Sequence, residues 1–402
     1  MSSAQRERPH YLDHAATTPM LPEAVAEMHA RLAEVGNASS LHGSGRRARR
    51  LVEEARERLA AAVGAEPREV VFTAGGTESD NLAIKGLFWA RTRRADRRRV
   101  LVSAVEHHAV LDAAQWLAHH EGAEVELLPV DSAGRLRVDA LQEALTADPD
   151  GVAFVSCMWV NNEVGTVQPV ADMVASTHPH GVPVHTDAVQ AVGQLPLDLH
   201  ALGADAVTLS GHKVGGPVGI GALVVRRATE LVPLLHGGGQ ERDVRSGTAD
   251  VASICAFAVA VELAVRQQDT QAARLRGLRD VLVAGIRTVV PDAVLNGPPA
   301  SAGPEARSPG IANVTFPGCA GDDLLLLLDA AGVECSTGSA CTSGVPEASH
   351  VLLAMGRNEA TARASLRLSL GHDSTCADVA AVVAAIGPAV ERARAAVLAR
   401  TA

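Results

Sequence analysis

At 402 residues, 47% of them apolar, the chain has room for two domains, or three, around a large buried core. A formal charge of −10, and a ring inventory of five Phe, three Trp and the single tyrosine Tyr11, exclude an anionic-membrane binder or a stacking platform for nucleic acid. With no membrane-length apolar run, no signal-peptide core and six cysteines free of zinc-type spacing, the expectation is a soluble cytoplasmic protein without a disulfide framework or structural metal.

Along the chain, β-branched apolar runs alternate with Ala- and Leu-rich stretches of helical period. Strands are expected at 69–73, 99–103, 125–129, 152–160, 183–186, 206–210 and 219–225, with helices at 49–63, 109–120 and 139–146 between them. The basic run from Arg91 to Arg99 reads as a solvated connection from helix to strand. This alternation predicts an α/β domain with a mostly parallel sheet covered on both faces. A long, nearly unbroken helix from 250 to about 276 leaves that domain. Beyond it, helix and strand signals around a Pro/Gly/Ser/Ala-rich stretch at 296–310 predict a smaller α+β domain. The five leucines 324–328, flanked by Asp322, Asp323 and Asp329, read as one buried element.

Five places carry chemistry. The strand ending Val70-Val71-Phe72 turns through Thr73-Ala-Gly-Gly-Thr77 directly into a helix, the arrangement that offers backbone N–H groups and a helix dipole to an anion. Asp187 ends one strand and Lys213 follows the next, so a single βαβ step brings both to the rim where open α/β sheets bind ligands. Among 36 basic residues of the Lys/Arg type only Lys85 and Lys213 are lysines. Arginine forms no Schiff base, so a lysine retained beside a strand-end carboxylate suits pyridoxal 5′-phosphate (PLP), whose ring nitrogen needs an acid and whose aldehyde needs an amine. Lys85, in mid-helix, reads as a solvated residue. His107 follows a strand end, where its ring could stack on a planar cofactor. Cys341 sits in small polar sequence and is either an accessible nucleophile or an inconsequential surface thiol. Cys157 and Cys255 read as core thiols. Arg367, alternating with leucines in Ser365-Leu-Arg-Leu-Ser-Leu370, is either a carboxylate clamp or a solvated strand residue.

Together these motifs resemble the cysteine desulfurases of the class V aminotransferase family, iron–sulfur-cluster-assembly branch. The likeness runs from Tyr11-Leu-Asp-His-Ala-Ala-Thr-Thr-Pro19 to Ser365-Leu-Arg-Leu-Ser-Leu-Gly371. It is most specific in Thr77-Glu-Ser-Asp-Asn-Leu-Ala, Val160-Asn-Asn-Glu-Val-Gly165, Ser210-Gly-His-Lys213, His236-Gly-Gly-Gly-Gln-Glu-Arg242, Arg245-Ser-Gly-Thr248 and Ser339-Ala-Cys-Thr-Ser343. The resemblance implies the PLP-dependent transferase fold type I: a large domain (17–260) with a mostly parallel seven-stranded sheet, and a small domain formed by 1–16 together with 261–402, carrying the catalytic cysteine loop at about 334–346. It implies Lys213 as the Schiff-base lysine, Asp187 as the ring-nitrogen partner and His107 as the stacking ring, with Asn162 and Gln190 on the phenolic oxygen side. Gly76, Thr77, Ser210 and His212 would hold the phosphate, joined by Thr248 from the partner of a homodimer, while Asn37 and Arg367 would bind the substrate carboxylate.

The implied reaction turns L-cysteine into L-alanine. Its sulfur is held as a persulfide on Cys341 and passed to acceptor proteins such as an iron–sulfur scaffold, with tRNA thiolation a further candidate outlet. Lys213 would act as general base, and His107 is the candidate base for the Cys341 thiol, whose loop is expected to be mobile. Two rivals stay open: a class V aminotransferase or lyase without persulfide chemistry, and a scaffold that binds no PLP.

Overall fold

In a computed structural model, residues 9–299, 302–303, 305–337 and 348–401 are described. Seven strands form the main sheet: β1 (Val70–Thr73), β2 (Arg99–Ser103), β3 (Glu124–Leu128), β4 (Val152–Ser156), β5 (Val184–Asp187), β6 (Ala206–Ser210) and β7 (Gly221–Val225). Their order is β1-β7-β6-β5-β4-β2-β3, parallel except for β7, which runs antiparallel to both neighbours. Side chains alternate between two apolar layers, as the strand repeat requires. Leu101 and Val155 belong to the layer that includes α1 (Gly43–Val63) and the later helix α4 (Val251–Arg266), whereas Val102 and Phe154 belong to the layer of α2 (Gly76–Ala95) and α3 (His108–Glu121).

Two expectations fail for tertiary reasons. The strand expected over 152–160 ends at Ser156, because the chain turns across the sheet edge and the Met158 N–H is taken by the Glu106 carboxyl at 2.5 Å. The helix expected from 250 to 276 is two helices, α4 and α5 (Gln268–Val289), bent by 70° at Gln267 with no proline or glycine at the break. The bend follows burial: Phe257 and Val261 pack under the main sheet, while Leu282 and Ile286 pack into a second core with Leu12, Phe316 and Leu368. That second core lies against an antiparallel sheet ordered β10 (Ser365–Ser369), β9 (Ile311–Thr315), β8 (Val294–Asn296), backed by α6 (Cys376–Thr401). The leucine run forms part of the helix Gly321–Asp329, which buries Leu324 and Leu328 but leaves Leu326 68% exposed, so it is amphipathic rather than wholly buried. No single helix among the described residues is long and apolar enough to cross a membrane.

The N-terminal segment belongs to the far end of the chain. His10–Tyr11 pairs in parallel with Val333–Glu334, and Asp13 bridges to Ser369. The basic run is largely paired, Arg94 with Glu230, Arg97 with Asp150, Arg98 with Asp96 and Arg99 with Glu126. Lys85 is not simply solvated, since its ammonium lies over the Trp116 ring at 4.3 Å.

One buried ion pair fixes the segment that carries Thr248. Arg56 of α1 meets Glu241 in a two-pronged contact at 2.7 and 2.8 Å, both side chains nearly buried, and Glu241 also accepts the Phe72 N–H. The guanidinium stacks over Phe72 at 4.7 Å. Arg56→Met would leave a buried, uncompensated carboxylate and should lower stability by about 3 kcal/mol. An unchanged unfolding midpoint in urea would contradict that role.

Candidate active site

The parallel strands deliver their carboxyl ends to one rim, and the cleft there gathers ten of the residues picked out from sequence. Gly76, Thr77, His107, Asn162, Asp187, Gln190, Ser210, His212, Lys213 and Arg367 all line it. Asn37 and Thr248 do not join them in this chain. Asn37 is exposed, its side-chain oxygen capping the Ser39 N–H at 2.8 Å, and Thr248 is exposed on the segment pinned by Glu241. Cys341 lies outside the described residues, so its expected loop has no structural account here.

Lys213 follows β6 in a short 3₁₀ turn, and its ammonium donates to the carbonyls of Ala15 and Ala16 at 2.5 and 2.6 Å. Burial, and then the charge of Arg367, bring its pKa down to about 8, against the pull of Asp187 and Asp13. Asp187 accepts the Val189 N–H at 2.8 Å, and burial raises its carboxyl to about 6. Gln190 donates to the Ala15 carbonyl that also serves Lys213.

His107 caps α3 by accepting the Ala109 N–H at its Nδ1, 3.1 Å away. Burial and the neighbouring Lys213 lower its pKa to about 4, so the ring is neutral at physiological pH. With Nδ1 committed as acceptor, the hydrogen of the neutral ring sits on Nε2. The ring therefore suits stacking or donation, which counts against its expected service as the base for Cys341. His212 is held at about 4 by the same two causes and meets the Thr17 hydroxyl at 3.2 Å.

The turn before α2 makes an anion cradle. Gly75 has φ of +146°, and a Cβ on Gly221 would come within 2.7 Å of the Gly75 carbonyl carbon, so β7 and the turn touch backbone to backbone. α2 then begins without a side-chain cap, leaving its dipole open to a ligand. Ser210 Oγ beside it is buried and has no hydrogen-bond partner. Such an orphaned hydroxyl at a helix N-terminus, with an amine and a strand-end carboxyl across the cleft, matches the three polar ends of PLP. The residues present fit that group.

Arg367 is not a solvated strand residue, because β10 is buried throughout and Arg367 is 5% exposed. It donates to Asp13 at 2.7 Å and to the Asn162 carbonyl at 3.1 Å, while its Nε is buried without a partner. Sequence reasoning missed Asp13, Ala15, Ala16, Asp80, Met158 and Ser336 in this neighbourhood. Asp13, Ala15, Ala16 and Asp80 lie within the motifs that carry the family resemblance; nothing in the local pattern marks Met158 or Ser336. Of the described cysteines, Cys157 and Cys255 are core thiols, as expected, and burial pushes Cys335 up to about 12, a poor nucleophile.

A family model for aminotransferase class V matches residues 10–382. An IscS-like cysteine desulfurase of Mycobacterium tuberculosis is 58% identical over 97% of this chain and 98% of its own length. Among solved structures, a NifS-like protein superposes with a TM-score of 0.87 at 34% identity, covering 96% of this chain and 100% of that one. A structure described as SspA in complex with cysteine gives 0.76 at 34% identity, covering 90% and 98%.

Proposed function

The chain belongs to the class V aminotransferase family and is a cysteine desulfurase, and from that premise we propose how its residues divide the work: the Lys213 cleft holds PLP, L-cysteine binds over it, and Cys341 takes the sulfur. The observation that carries this reading is the meeting of the Lys213 amine and the Asp187 carboxyl, from adjacent strands, on one cleft with the uncapped end of α2. Bound PLP would supply an electron sink that renders the substrate Cα proton labile.

The protein's own groups do the rest. Gly76, Thr77, Ser210 and His212 hold the phosphate end, and Thr248 reaches it from the partner of a homodimer. Asp187, at about 6, is largely ionised at neutral pH and would keep a proton on the ring nitrogen of bound PLP. The flat, neutral His107 would stack on the ring, with Asn162 and Gln190 serving its phenolic oxygen. Arg367 receives the substrate carboxylate through its unpartnered edge, together with Asn37. Lys213, once its amine is free, moves the proton at Cα.

Cys341 thiolate attacks the substrate sulfur; the C–S bond breaks, an S–S bond forms on the enzyme, and the carbon left behind is protonated to L-alanine. The described flanks of its segment support that placement, since Ser336 lines the cleft and His350 donates to the carbonyl of Glu106, next to His107. The sulfur then passes to acceptor proteins such as an iron–sulfur scaffold, with tRNA thiolation a second outlet.

The test is the product of L-cysteine turnover by purified protein that carries the PLP absorbance. L-alanine in step with sulfide supports the reading, and a transaminated product in place of L-alanine refutes it. Arg367→Lys keeps the charge but loses the planar fork, so the KM for L-cysteine should rise roughly tenfold while the cofactor spectrum stays put. An unchanged KM would take Arg367 out of substrate binding.

A further inference from the structure

Asp80 stands in the first turns of α2, within the Thr77-Glu-Ser-Asp motif, and lines the cleft with Asp187. It is 2% exposed, and its Oδ1 has no hydrogen-bond partner. Among the described residues it is paired with neither lysine nor arginine. The groups that face it are the carboxyls of Asp187 and Glu106, the hydroxyl of Thr208, and His185, whose Nε2 lies 3.6 Å from Oδ1.

His185 offers little compensating charge. It is fully buried, with Nδ1 engaged by Ser156 Oγ at 2.9 Å and Nε2 by Thr208 Oγ1 at 3.1 Å. Burial lowers its pKa to about 3. Three carboxyls in one dry layer cannot all ionise. Asp187 has a backbone N–H and the Lys213 ammonium to stabilise its charge. Asp80 has burial and two like charges against it, which hold its carboxyl well above the ordinary carboxylate range, and Glu106 is raised likewise.

We infer that Asp80 is a positioning acid of the cofactor site: as an uncharged carboxylic acid it donates to Thr208, Thr208 donates to His185 and His185 donates to Ser156, bracing β4, β5 and β6 and leaving the negative charge beneath the ring to Asp187. When a neutral Asp80 donates to Thr208, Thr208 donates to His185 Nε2 and the imidazole hydrogen sits on Nδ1. When Thr208 instead donates to the Asp80 carboxyl, as it must to a carboxylate, the hydrogen sits on Nε2. The His185 tautomer therefore reports which way the chain of donors runs, and a protonated-carboxyl band reports the charge of Asp80.

This inference rests on the PLP reading of the cleft, but its decisive measurement does not. In the cofactor-free chain, nitrogen NMR should find His185 as the Nδ1–H tautomer, and infrared spectra should show a protonated-carboxyl band that disappears in Asp80→Asn. PLP uptake by the apo chain should weaken about tenfold in Asp80→Ala and in Thr208→Val, and Asp80→Asn, whose amide still donates, should recover most of that loss and keep the tautomer. A wild-type Nε2–H tautomer, no Asp80-dependent band, or PLP uptake by Thr208→Val as tight as wild type would each overturn it. A wild-type chain that takes up no PLP would instead refute the cofactor reading, with the tautomer still deciding the direction of the donor chain and the band the charge of Asp80.

Discussion

Cys341→Ala should keep the bound-cofactor absorbance and lose sulfide release from L-cysteine, on the order of 10³-fold, when assayed with a reductant present. The size follows from the chemistry: without a thiolate to accept sulfur, the C–S bond has no leaving path, whereas cofactor binding draws on other residues. Trapping should find no persulfide on the variant. Cys335→Ala is the matched control, since that thiol is pushed up to about 12 by burial and should transfer no sulfur. Cys341→Ala turning over at the wild-type rate would end the persulfide proposal while leaving the PLP site intact.

Lys213→Ala should abolish covalent retention of PLP and lower turnover by on the order of 10²–10⁴-fold, the range for loss of a general base. The lysine also predicts a pH dependence. Its amine is reactive only when neutral, and its pKa lies at about 8 in place of 10.5 because burial and Arg367 disfavour the charged form. Capture of PLP by the apo chain should accordingly climb about tenfold per pH unit below 8 and level off above it. His107, at about 4, is neutral across that window and adds no second limb. A rate flat from pH 6 to 9 would mean that Lys213 is not the group that captures the cofactor. Lys85, the other lysine, sits over Trp116 and cannot substitute.

Asp187, Ser210 and Lys213 were legible because strand ends are legible: a β-branched run followed by a polar residue announces which side chain reaches the rim. The anion turn was legible for the same reason. Asp80 carries no such signal, because a carboxyl among Glu78, Ser79 and Asn81 on a helix reads as a solvated face, and only the packing of α2 against the sheet buries it. Asp13 and the carbonyls of Ala15 and Ala16 carry no periodic signal at all, since a backbone oxygen looks alike in every sequence. The break at Gln267 was likewise invisible, because both halves favour helix and the bend comes from two cores competing for one apolar stretch. Asn37 and Thr248 are both exposed and stand outside the cleft, so their part in it rests on the homodimer proposed above.

The pairing of His10–Tyr11 with Val333–Glu334 sets a schedule. Lys213 finds its two carbonyl acceptors on Ala15 and Ala16, which are placed by that pairing and by the bridge of Asp13 to Ser369. A ribosome reaches those partners on the order of tens of seconds after releasing the N-terminal segment. The nascent large sheet can therefore form with its lysine unattended, and the last strand of the three-stranded sheet completes the cleft. Pairing over so long a span is slow, so a fragment halted before β10 should be folded in its main sheet yet chemically silent.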